Sequence, residues 1–149
     1  MRTIRQLGLE SIAIYSEADR ASAHVDAADI ACAVGPGPVA DSYLQQQRLL
    51  DVASEHGAAA VFPGYGLLSE NASFADRCEA AGLLWLGPTP QQMRDFGLKH
   101  EARRMAQAAS VPLVPGSGLL ENVQQAEIEA ARLGYPCLLY TSPSPRDRG

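Results

Sequence analysis

Lys99 follows Gly97-Leu98 at the start of a helical pattern. A lysine so placed can meet an anion that also meets the free N–H groups of a helix N-terminus. A lone surface lysine is more often a solvated charge, and on the residues alone both readings stay open. The segment Phe62-Pro63-Gly64-Tyr65-Gly66-Leu67-Leu68-Ser69-Glu70-Asn71 is the second place that could house chemistry. An apolar run, Ala58 to Phe62, stops at Pro63, which has no N–H to give to a strand ladder. Gly64 and Gly66 let the backbone turn sharply and let a ligand or another segment come close. Open α/β sheets bind ligands where a strand feeds such a loop and the loop feeds a helix. Gly-rich turns of this kind also serve as plain connections.

The other polar residues carry weaker signals. Glu17 and Asp19 follow the first strand, where a carboxylate could meet a ribose or simply face water. His24 and His100 have no cysteine, carboxylate or histidine at metal-ligand spacing and read as structural or solvent-facing. His56 ends a helix, where it suits the negative end of the dipole. No Ser-His-Asp or Cys-His pairing is defensible from the order of residues, and neither GxGxxG nor GxxxxGK[ST] is present. Cys32, Cys78 and Cys137 are too few and too scattered for a disulfide framework or a zinc site, and the first two read as small buried hydrophobes.

Short apolar runs must position these residues. The runs Ser11–Tyr15, Ala31–Val34, Ala58–Phe62 and Leu83–Leu86 predict strands. They alternate with helical patterns at 2–7, 42–56, 72–81, 89–97, 98–109 and 122–133. Ser42-Tyr43-Leu44-Gln45 and Thr89-Pro90-Gln91-Gln92 read as capping boxes, Asn71 as an N-cap, and Gly8, Gly57, Gly82, Gly97 and Gly134 as stops. The alternation predicts βαβ units, a parallel sheet and flanking helices. With 149 residues the chain can bury a real core, and its 46% apolar content is that of a globular domain. A net charge of −5 with no basic run argues against nucleic acid as a partner. No signal peptide or long apolar stretch is visible, so no membrane association and a cytoplasmic location are expected.

Three blocks carry the reading further. Tyr15-Ser16-Glu17-Ala18-Asp19-Arg20 with His24-Val25, the loop from Pro63 to Asn71, and Val114-Pro115-Gly116-Ser117 occur in order. Together they closely resemble the N-terminal domain of biotin carboxylases, the ATP-grasp ligases of biotin-dependent carboxylases. The likeness runs from Met1 to Pro136. It implies a Rossmann-like (pre-ATP-grasp) α/β domain and an enzyme that uses ATP to activate bicarbonate and then carboxylates biotin, with Mg2+ or Mn2+ on the phosphates. By the same resemblance Lys99 contacts ATP phosphate, and Tyr65 and Gly66 belong to a loop facing biotin and phosphate. No catalytic base or metal ligand is implied within the chain.

Phe96-Gly97-Leu98-Lys99-His100 and Pro112 to Leu120 look most like urea carboxylase, the ligase half of urea amidolyase. That resemblance implies urea as the acceptor, allophanate as the product and a biotin carboxyl carrier domain as partner. Acyl-CoA and pyruvate carboxylases usually have Gly-Asp-Lys where this chain has Gly97-Leu98-Lys99. An acyl-CoA carboxylase subunit, a guanidine-preferring relative and a non-catalytic α/β binding module remain as alternatives. Oligomerisation of the full protein is left open.

The likeness also sets expectations for the ends. Residues 1–110 are expected to form a partial biotin carboxylase N-terminal domain lacking its first, central strand. Residues 111–136 would then lead into the ATP-grasp domain. Residues 137–149 resemble a translated sequencing adapter rather than a native tail, the alternative being a Ser/Pro-rich disordered end. A chain so truncated is expected to be marginally stable and inactive by itself.

Overall fold

A computed structural model describes residues 1–139; the expected adapter tail from 140 onward lies outside the described residues. The described residues divide into two compact units, 1–90 and 91–139.

The first unit begins with helix α1 (Arg2–Gln6), stopped where Gly8 takes φ +72°. Strand β1 (Ile12–Ser16) follows, then helix α2 (Ala23–Ala27) and strand β2 (Ile30–Gly35). β1 and β2 pair in parallel from Ile12↔Ile30 to Tyr15↔Ala33, and the register slips so that Ser16 faces Gly35. Gly35 is required there: its φ is +149°, and a Cβ would collide with the Asp41 carbonyl oxygen. Helix α3 (Gln46–Glu55), strand β3 (Ala60–Val61), helix α4 (Ala72–Ala80) and strand β4 (Leu84–Trp85) complete the unit. β3 and β4 also pair in parallel.

The α/β class and the parallel pairing are those the apolar periodicity predicts. The strands nevertheless form two separate two-stranded sheets, β1–β2 and β3–β4, with no ladder between β1 and β3. A cleft of about 190 Å³ lies between these two strands, lined by Ile12 and Ile14 on one side and Ala60, Val61 and Phe62 on the other. β3 is shorter than the predicted Ala58–Phe62. Ala58 N–H is taken by the Ala53 carbonyl at 2.8 Å, and Pro63 has no N–H to extend the ladder.

α4 packs its apolar stripe Phe74, Ala75 and Cys78 into the core, where Phe74 meets Trp85 edge-on with ring centroids 5.8 Å apart. Burying a phenylalanine of this kind stabilises by about 1.5–3 kcal/mol. The predicted cap of α4 is present: Asn71 Oδ1 accepts from Phe74 N–H at 2.8 Å. The predicted capping box at Ser42 is not. Ser42 is fully buried and its hydroxyl donates to the Pro38 carbonyl at 2.8 Å, so a short 3-10 turn (Val39–Asp41) precedes it and α3 starts only at Gln46.

The second unit holds helices α5 (Pro90–Gly97), α6 (Lys99–Ala108) and α7 (Val123–Leu133), joined by an extended Val111–Gly116 link. α5 has proline at its first position, as a helix N-terminus tolerates. Asn122 caps α7 by accepting from Gln125 N–H at 2.9 Å.

Candidate functional site

The Phe62–Asn71 loop is built from its anchors outward. Leu68 is buried and Asn71 is committed to α4, while Ser69 N–H reaches the Gly66 carbonyl at 2.9 Å to close a 3-10 turn, Leu67–Glu70. These fix the loop's end and leave its middle exposed. Tyr65 is fully exposed at 102%, and Phe62 is 71% exposed. Gly64 has φ +70° and uses the freedom of glycine. Gly66 does not: its φ of 174° is extended, and a Cβ there would meet nothing within 4 Å. The turn therefore gives no local reason for glycine at position 66. Leu67, by contrast, sits at φ +53°, a conformation that costs a branched residue of order 1–3 kcal/mol and that clusters at ligand loops. Nothing in the residue order marked Leu67, because strain is a property of the backbone and not of the letter.

Tyr65 and Gly66 are thus adjacent on one exposed loop of the first unit. Lys99 belongs to the second unit, where it is the first residue of α6 and is exposed. Leu98 stands at the N-cap and offers no side-chain acceptor, so the first-turn N–H groups of α6 lack the usual cap. Glu101 in that turn is paired with Arg104 at 2.8 Å. A lysine beside uncapped helix N–H groups can serve a phosphate.

The carboxylates after β1 are occupied by their own turn. Asp19 accepts from Ser16 Oγ at 2.8 Å and from the Tyr43 hydroxyl at 2.5 Å, and Tyr43 in turn receives Ser16 N–H at 2.9 Å. These bonds, Tyr43's first, hold the Asp19 carboxyl below its ordinary range. Glu17 pairs with Arg20 at 2.8 Å, and Arg20 lies 5.9 Å over the Tyr15 ring. The block Tyr15–Arg20 therefore reads as a self-satisfied turn at the end of β1. His24 Nε2 lies 3.2 Å from the Ile14 carbonyl, a structural placement as predicted.

The Val114–Ser117 block acquires partners that sequence order hid. Arg103 Nη2 donates to the Val114 carbonyl at 2.6 Å, and Arg132 Nη2 to the Gly116 carbonyl at 3.4 Å. A Cβ on Gly116 would press the Arg103 guanidinium at 2.9 Å. Beside it, Gly116–Leu120 and the α7 residues Gln125, Ile128, Glu129 and Arg132 line a pocket of about 380 Å³. One cysteine reading holds and one changes. Cys78 is fully buried, but Cys32 is only half-buried and lies 3.1 Å from His56 Nε2. The Cys-His pairing was invisible because it joins β2 to the end of α3, 24 positions apart. Among the described residues no group of three or more His, Cys, Asp or Glu is arranged to hold a metal.

The profile of the biotin carboxylase N-terminal domain matches residues 1–93. The chain belongs to this family. Biotin carboxylase relatives extend the match past the profile's end. The chain is 47% identical over 140 residues to the mitochondrial methylcrotonoyl-CoA carboxylase subunit alpha of Oryza sativa, covering 93% of this chain and 19% of that protein. It is 44% identical over 139 residues to urea amidolyase of Saccharomyces cerevisiae, covering 93% of this chain and 8% of that protein. Among solved structures it superposes with the biotin carboxylase domain of Hydrogenobacter thermophilus 2-oxoglutarate carboxylase, in complex with MgADP, ADP and bicarbonate. The TM-score is 0.83 at 40% identity, over 91% of this chain and 30% of that one. The chain therefore spans 8% to 19% of the length of these two curated relatives.

Proposed function

We propose that this biotin carboxylase N-terminal domain serves a urea carboxylase: an ATP-dependent ligase that activates bicarbonate, carboxylates biotin on a carrier domain and transfers the carboxyl group to urea, giving allophanate. The observation that carries the enzymatic part is the family membership over residues 1–93. The urea assignment rests on Phe96–His100 and Pro112–Leu120 and on the 44% identity to urea amidolyase. The 47% identity to a methylcrotonoyl-CoA carboxylase subunit favours an acyl-CoA acceptor instead, and is the specific support for that second reading.

On this reading Lys99, in the second unit, holds an ATP phosphate together with the first-turn N–H groups of α6. Tyr65 and Gly66 form the loop wall toward biotin and phosphate. Bound magnesium would neutralise phosphate charge, a role supported by the MgADP complex of the 2-oxoglutarate carboxylase domain. The exposure of Tyr65 and the uncapped start of α6 both suit a ligand-facing role. Residues 1–110 are proposed as the domain body and 111–136 as the lead into the ATP-grasp domain. The reaction is assigned to the full-length protein in the cytoplasm, and the 149-residue chain alone is proposed to be inactive. No helix among the described residues is long and apolar enough to cross a membrane.

The test is ADP release by the full-length protein carrying this chain, with bicarbonate and, in parallel, urea, guanidine or 3-methylcrotonoyl-CoA. Acceleration by urea alone is the expected result. Acceleration by the thioester alone would replace the urea reading with the acyl-CoA one, and no bicarbonate-dependent ADP release would remove the enzymatic assignment.

A further inference from the structure

Cys32 and His56 have no part in the function proposed above. Cys32 lies in β2, half-buried, with Sγ 3.1 Å from Nε2 of His56, the exposed residue that ends α3. The His56 backbone is fixed by its N–H bond to the Val52 carbonyl at 3.2 Å, on a turn anchored by buried Val52 and Ala53. Arg48 and Glu55, ion-paired at 3.0 Å on the same helix, flank the sulfur with opposite effects on its charge.

We propose that Cys32 is a covalent modification site for small, uncharged carbon electrophiles, with His56 as the proton acceptor. Burial pushes the Cys32 thiol up, so at neutral pH the sulfur keeps its proton, with Nε2 in contact with it at 3.1 Å. An attacking thiol in that state needs a base in contact with it, and a paired imidazole is such a base. In the step, a sulfur lone pair forms the S–C bond, the bond from carbon to its leaving group breaks, and the thiol proton passes to Nε2. The imidazolium formed sits at the C-terminal end of α3, where the helix dipole favours positive charge. An unpaired, neutral electrophile is the class that fits, because the Arg48–Glu55 pair leaves no net charge beside the sulfur to recruit an ion.

The other two cysteines supply internal references: Cys78 is fully buried and Cys137 is exposed. The experiment is timed alkylation of the full chain with iodoacetamide, iodide being the leaving group, read by mass spectrometry of the three cysteine peptides. Cys32 is expected to react faster than Cys78. His56→Ala should slow Cys32 several-fold, leave Cys137 unchanged, and be rescued by imidazole added to the buffer. Three results would each overturn the proposal: Cys32 as slow as Cys78, a Cys32 rate indifferent to His56→Ala, or a loss that dissolved imidazole does not restore. Should Cys78 become reactive in His56→Ala, showing a disturbed core, the same measurements on His56→Gln decide by the same criteria.

Discussion

At the scale of single residues, the proposed phosphate contact turns on Lys99, the exposed first residue of α6, a helix start marked in the sequence by glycine before a helix-forming run. In the full-length protein, Lys99→Ala should remove a charged phosphate contact of about 1.5–3 kcal/mol, a loss of roughly 10- to 100-fold in kcat/KM for ATP. Steady-state ADP release against ATP concentration reads this, and an unchanged value would take Lys99 out of the site. Hydrogen bonds between distant residues were not legible. Asp29 accepts from Ser11 N–H at 2.9 Å, from Ser11 Oγ at 2.6 Å and from Arg5 at 3.2 Å. The Ser11 hydroxyl first, then its backbone N–H and Arg5, bring the Asp29 carboxyl from 3.8 down to about 2. The folded value lies below the unfolded one, so the carboxylate's contribution is full above about pH 4 and is lost as pH falls toward about 2. Urea midpoints of the parent and Asp29→Asn should differ most near neutral pH and converge across that window. A difference independent of pH would contradict the assignment.

At the scale of elements, caps and stops carried the most information where a single side chain decides the outcome. Asn71 caps α4 and Asn122 caps α7 because a short amide at that position reaches the N–H three residues on. Ser42 shares the same sequence signature and fails, because its hydroxyl is drawn to Pro38 by a turn that only the folded chain makes. β3 and β4 are shorter than the apolar runs for a related reason: apolar letters mark burial, whereas strand length is set by how many residues find a ladder partner. Asn71→Ala should cost about 1 kcal/mol and Asn71→Asp much less. Phe74→Ala, which empties the space against Trp85, should cost about 3–5 kcal/mol. Both are measured by urea unfolding followed through Trp85, the sole tryptophan. Equal costs for the two alanine variants would mean that α4 is held by its cap as much as by its packing.

At the scale of the whole molecule, the α/β class was legible because alternating apolar runs and helical patterns leave few other architectures, whereas the division into two sheets emerges only from pairing. No ladder joins β1 to β3 across the cleft between them. Amides of β1 and β3 should exchange with deuterium sooner than those in the middle of α4, and strong protection of both strands would contradict the expected marginal stability. Those same open edges also govern how the protein behaves as a solute. A strand with one open edge beside an apolar cleft is a template for a strand from another molecule, and what opposes such pairing between copies is mutual repulsion. The chain's net charge is −5 at pH 7 and vanishes near pH 5.1. Colloidal stability is therefore expected to collapse on mild acidification while the carboxylates that hold the fold are still ionised, and light scattering at matched concentrations should rise as the pH is brought from 7 toward that point.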